Sequence, residues 1–265
     1  MLSLFIKPLV QPIALLVGAC FCLGGVIAIQ RPQLDKSSNQ QTITLEQVER
    51  ELEIEKARLK LQQKISTFGF NNLVADWTFL QFLQYFGDEL ARDQTGYTLS
   101  PEYFEVIVNQ DPRFLEIYTF LSTSVAAYAA MPERSVALME KGLKSMSPKA
   151  PSQSYYVWRN KGIDELLFLG DGKAAQHSFE MAAQWASVHS DPESQNVAAF
   201  SRQTAQFLSR NPKSNLAQVS AWAMVLNRAV DDRTRKLAVS RIEALGGQVT
   251  ITSKGVVKVF LPKRD

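Results

Sequence analysis

Side chains able to carry chemistry are sparse in this chain and poorly spaced for it. The two histidines, His177 and His189, stand twelve residues apart, whereas a zinc-binding HExxH helix needs its pair one turn apart on one face. Both cysteines, Cys20 and Cys22, lie in an apolar N-terminal stretch. Everything after residue 22 therefore lacks a disulfide framework or a Cys-based zinc site. There is no G-x-S-x-G elbow, no Walker loop and no G-x-G-x-x-G fingerprint following a strand. Gly170-Asp171-Gly172 reads as a helix-joining turn. Carboxylates recur as Asp76, Glu102, Glu105, Asp164 and Glu165, but nothing in the sequence sets two of them across a cleft, as paired acid/base chemistry requires. Asp76 stands out because it interrupts a strongly apolar helix, where burial would demand a hydrogen-bond or cationic partner. No catalytic, cofactor-binding or metal-ligating residue is assigned, no cofactor is expected, and the chain reads as a non-enzyme. The residues left with a partner-binding role are Asn71, Asn72, Asp76, Trp77, Tyr155 and Trp158.

The elements that must position these residues are helical. With 265 residues, 46% hydrophobic and 21% charged, four Trp and fifteen Phe, the chain has material for a core and does not read as disordered. A net charge of +3 is too small to imply nucleic-acid binding. Between Lys7 and Arg31 there is no charge, and Pro12 to Ile29 is almost continuously apolar, just long enough to span a bilayer at about 20 residues. Three readings compete: an uncleaved signal-anchor, a signal peptide cleaved after Val26-Ile27-Ala28, and lipoprotein processing at Cys20. Apolarity running through to Ile29 favours the anchor. A short N-terminus before a long folded part favours a single-pass protein with its domain on the non-cytoplasmic side, although the flanking positive charges are nearly balanced.

Residues 31–43 form a polar linker. Thr44 and Gln47 then read as a capping box for a helix over 45–65, with Leu45, Val48, Leu52, Leu59 and Ile65 on one stripe. Phe70 to Phe86 is so broadly apolar that it should be buried on most sides. A polar connection over 88–100 leads to a helix at 101–110, opened by Ser100 as N-cap and Pro101 as N1. Three helical pairs follow: 113–130 with 132–146, 152–169 with 172–186, and 191–209 with 213–229, with prolines at the joints. A spacing of about 34–45 residues per pair is that of stacked hairpins, which bury their faces against neighbours.

In the second pair, Trp158, Gly162, Ala175, Phe179 and Ala182 fall in the order of the tetratricopeptide (TPR) signature, with a turn one residue longer than standard. Tyr118, Leu121, Ser122, Val136 and Pro148 resemble a degenerate repeat before it, and Asp111-Pro112-Arg113-Phe114 is similar to a repeat-joining segment. Residues 101–190 thus resemble the TPR family. With its apolar N-terminus and the segment Asn71 to Trp77, the chain resembles bacterial membrane-tethered TPR proteins, cyanobacterial ones among them. That resemblance implies an α-solenoid that binds other proteins, here at a membrane protein complex, with Gly162 and Ala175 where helices approach and Trp158 and Phe179 between hairpins.

The C-terminal end departs from the pattern. An amphipathic helix at 233–245 ends at Gly246-Gly247, and Gln248–Thr252 and Val256–Leu261 read as a β-hairpin, which needs a packing partner. From Arg228 onward nine Lys/Arg face four Asp/Glu, a local net of +5. The expected organisation is a transmembrane signal-anchor (1–30), a linker (31–43), a mainly α TPR-like domain (44–230), and a basic helix with β-hairpin (231–265). Its expected role is that of a membrane-tethered scaffold or assembly factor. An integral accessory subunit of a membrane complex, or an exported hydrolase or ligand-binding protein, are the alternatives.

Overall fold

The computed structural model describes residues 18, 23–28, 45–64, 67–210, 213, 215–229, 232–251 and 257–262. The chain divides into two units, residues 1–47 and 48–265. In the first, residues 18 and 23–28 are helical and exposed. Most of the expected membrane span, the linker and the Thr44 cap lie outside the described residues. Among the described residues no helix is long and apolar enough to cross a membrane.

The second unit is mainly helical. Its helices are α1 (Leu45–Gln62, from Val48 on), α2 (Asn71–Gly87), α3 (Glu89–Thr95), α4 (Ser100–Gln110), α5 (Ile117–Leu121), α6 (Pro132–Leu143), α7 (Tyr155–Asp164), α8 (Gly172–Ala186), α9 (Pro192–Arg210), α10 (Asn215–Arg228) and α11 (Asp232–Ala244). Two of them widen without a break. α5 runs on as a π-helical turn over Ser122–Tyr128, and α7 as another over Glu165–Leu169. Strands β1 (Gln248–Ile251) and β2 (Val257–Phe260) pair antiparallel, Gln248 opposite Phe260.

Local chemistry accounts for most boundaries. The Asp88 carboxylate accepts the Ala91 amide at 3.2 Å and caps α3, a helix inside the stretch that reads as a polar connection. Asp171 caps α8 in the same way through the Ala174 amide, at 2.9 Å. Pro132 opens α6 from the first turn, where no amide is missed. Ser100 does not cap α4: it is the first helical residue, buried, and Leu99 occupies the N-cap without a side-chain bond.

Three apolar clusters hold the unit. The largest joins Leu59 of α1, Phe82 and Tyr85 of α2, Phe104 and Ile107 of α4, Leu121 of α5, Met139 of α6, Tyr155 of α7 and Val197 of α9. A small cluster of Ala175, Phe179, Ala205 and Leu208 seals α8 against α9. The remaining one corrects the expected third hairpin. α10 is not the partner of α9, which packs along α8 instead. α10 lays Val219, Trp222, Val225 and Leu226 against Ala126, Ala130 and Phe168, on or next to the π turns, and against Ala238 and Ile242 of α11. Trp222 meets Phe168 edge-on at 5.8 Å. The reason is shape: the π turns present small side chains and one ring, a surface that receives a tryptophan. The β-hairpin packs on α11 through Val249 and Val259, which supplies the partner that a lone hairpin needs.

Side chains press against the backbone at two glycines. A Cβ on Gly162 would lie 3.1 Å from the Phe179 ring. At Gly142 a Cβ would fall 1.8 Å from the hydroxyl of Tyr118, which donates to the Pro112 carbonyl at 2.7 Å. Gly142→Ala therefore expels the Tyr118 ring and breaks this bond. We expect a loss of roughly 2–4 kcal/mol from overpacking plus the lost bond, read as a lower urea midpoint. A loss below about 0.5 kcal/mol would contradict this packing.

Candidate functional site

Helix α2 has apolar residues on both sides and a core on only one. Its inner face buries Ala75, Thr78, Phe82 and Tyr85, with Phe79 and Phe86 half-buried at the margin. The outer face leaves Phe70 66% exposed, Leu73 65%, Trp77 57%, Leu80 53% and Leu83 38%. Their 3- and 4-residue spacing is that of one helical stripe. A Phe or Trp carries about 150–250 Å², so the stripe exposes on the order of 500 Å², the upper range for the largest patch of an ordinary monomer. The expectation that α2 is buried on most sides is thus corrected: no other described element covers this face. Exposed Phe68 precedes the stripe in a turn where Gly69 has φ +91°, and half-exposed Phe120 touches Phe79 at 5.3 Å.

Asn71, Asn72, Asp76 and Trp77 all lie exposed on α2. Asp76 is not buried and has no need of an internal partner. The Thr67 hydroxyl donates to the Asn71 side-chain oxygen across the turn that opens the helix. Tyr155 is corrected: it is fully buried, its hydroxyl paired with Ser194 Oγ at 3.0 Å, and no partner can reach it. Trp158, also on α7, is half-buried between the edges of Trp185 (5.8 Å) and His177 (5.9 Å). The fold therefore gathers four of the six expected residues on one helix and leaves two in the packing of another. In the sequence Phe70, Leu73, Leu80 and Leu83 look like core, because apolar residues at helical spacing look alike whether or not a neighbour covers them.

The other charged candidates form internal pairs. Arg134 bridges Glu102 (2.8 Å) and Glu105 (3.3 Å). Arg134 and Glu102 line a hollow of about 510 Å³ together with Glu49, Glu53 and Lys56. His189 Nε2 is 2.8 Å from the Pro148 carbonyl oxygen. Among the described residues no group of His, Cys, Asp and Glu is arranged to hold a metal ion.

Asp164 and Glu165, where α7 turns into its π segment, are almost fully buried. Asp164 accepts hydroxyls from Ser122 at 2.7 Å and Ser135 at 2.6 Å, so residues of α6 and of both π-bearing helices meet on one carboxylate. Glu165 pairs with buried Lys161 and accepts from Ser178 of α8 at 2.6 Å; Lys161 also reaches Glu140 of α6 at 3.3 Å. Burial pushes Asp164 up to about 7 against the lowering effect of the two hydroxyls, with the Glu165 charge adding to the rise. The sequence signal for this junction was only two adjacent carboxylates in a helix.

No family model, no curated protein and no solved structure matches the chain.

Because the folded chain holds the Asp164 proton more tightly than the unfolded chain, its contribution to stability is complete below about pH 4. It is lost as pH rises to about 7. Asp164→Asn keeps the shape and removes the titration. Unfolding free energies from urea titrations should shift in favour of the variant relative to the parent between pH 5 and pH 8, by on the order of a few kcal/mol. Parallel pH profiles for the two proteins would refute this assignment.

Proposed function

We propose that this chain is a non-enzymatic, membrane-tethered scaffold or assembly factor, anchored by its apolar N-terminal segment, that binds protein partners through its TPR-like helical domain. The observation that carries this reading is the exposed stripe Phe70, Leu73, Trp77, Leu80 and Leu83 on α2. A contiguous apolar face of this size on a helix whose other side is firmly in the core is what an interaction surface offers: rigid anchors, already positioned. Tryptophan near the middle of the stripe is the side chain most often dominant in binding energy. The hairpin of α7 and α8 supports the scaffold role: the Phe179 ring of α8 packs against Gly162 of α7, and Trp158 of α7 meets Trp185 of α8 edge-on. The hollow of about 510 Å³ beside Arg134 is lined largely by charged side chains.

Trp77→Asp and Leu80→Asp alter exposed positions, so each should shift stability by less than about 0.5 kcal/mol. On full-length protein purified from membranes, each should remove the proteins that co-purify with the parent. Alkaline extraction should leave the chain in the membrane fraction. An unchanged set of co-purifying proteins in both variants would sink the assignment of the α2 face, and release by alkali would sink the anchor.

A further inference from the structure

We infer that the outer face of α2 receives an apolar helix of a partner protein that carries one lysine or arginine placed to meet Asp76. This rests on the protein-binding reading above and specifies the chemistry of the partner.

The stripe runs from Phe70 to Leu83, thirteen helical steps or about 20 Å, which matches nearly four turns of a docked helix. Asp76 lies at its middle. It is one turn from Leu73, one turn from Leu80 and next to Trp77, and it is exposed. It is also the only charged residue of α2, which has no Lys or Arg. No ion pair among the described residues uses it. A lone carboxylate within an apolar face decides what can cover that face.

A second copy of this chain fits badly. A two-fold pairing of α2 with itself, parallel or antiparallel about the stripe's centre, brings two Asp76 carboxylates to the same level, and like charges in contact are costly. A bilayer surface also fits badly. Helices that lie in the interface carry Lys and Arg toward the headgroups; α2 has neither and would have to press a carboxylate into the acyl boundary. A partner helix with a cation opposite Asp76 fits. The apolar anchors supply the affinity, and the charge pair fixes the register and rejects helices that leave Asp76 covered and unpaired.

The test uses the full chain in nanodiscs of zwitterionic lipid and three synthetic 18-residue helical peptides. The peptides share one leucine-rich stripe and differ only in its central residue: Lys, Gln or Glu. Binding is read from labelled-peptide anisotropy and from Trp77 emission; Trp77 is the one strongly exposed tryptophan, since Trp185 and Trp222 are buried and Trp158 half-buried. The Lys peptide should bind at least ten-fold tighter than the Glu peptide. Asp76→Lys should invert the order, and Leu80→Asp should weaken all three. Equal affinities on the parent, an order unchanged in Asp76→Lys, or no binding of the Lys peptide overturns the inference. Equal affinities that Leu80→Asp still weakens overturn the cation requirement alone and leave the protein-binding face standing. Quenching of Trp77 by brominated lipid without peptide assigns the face to the bilayer. Shielding of Trp77 that grows with protein concentration alone assigns it to a second copy. Either result overturns the inference and the protein-binding reading of this face together.

Discussion

Asp164 is held in the core by hydroxyls that come from two other helical segments, and its neighbour Glu165 is held by a buried lysine and a serine from the next helix. A buried carboxylate is tolerated only where partners meet it with good geometry or where it keeps its proton. The four segments that supply those partners cannot slide past one another without breaking a bond that no water replaces. The polar junction therefore sets the register of α5, α6, α7 and α8. The apolar clusters around it add stability but little positional demand, since hydrophobic contact is not directional.

The π turns belong to the same constraint. One begins at Ser122 and the other at Glu165, both members of the junction. Widening a helix by one residue per turn is unfavourable in isolation and persists where tertiary packing rewards it. Here the reward is twofold: the polar atoms of the junction are aligned, and a surface of Ala126, Ala130 and Phe168 is offered to Trp222 of α10. That surface draws α10 away from α9. The C-terminal helix α11 packs on α10, and the β-hairpin packs on α11.

The two notable aspartates divide the molecule's tasks. Asp164 is enclosed, satisfied and raised toward neutrality, and its role is internal. Asp76 stands in the open among apolar side chains that the fold leaves uncovered, and its surroundings call for something outside the unit. Burial separates the roles of two residues of one type. Arg92 is another buried charge, stacked on the Tyr85 ring at 3.9 Å and bonded to the Gly96 carbonyl at 3.0 Å. It fastens α3 to the inner side of α2, so the outer stripe sits on a rigid support.

Much of the helical framework was legible from the residues, because caps, prolines and apolar spacing act over a few residues and are written locally. Pro132, Asp171 and the glycine pair at 246–247 mark ends that the structure keeps within a residue or two. So do the alternating strands at 248–251 and 257–260. The failures share a different cause. The short helix α3, the packing of α10 against the π turns and the burial of Tyr155 depend on which surface meets which. Periodicity reports that a face is apolar, not what covers it. For the same reason α2 read as a core helix: its two apolar faces are equivalent in sequence, and only the placement of α4 and its neighbours on one side makes the other a surface. The sequence by itself determined most of the helix ends, because caps and prolines act locally, and that no known catalytic constellation is spelled out along the chain. The tertiary structure alone decided which apolar face stays exposed and which carboxylate is buried, because both follow from contacts between residues far apart in the chain.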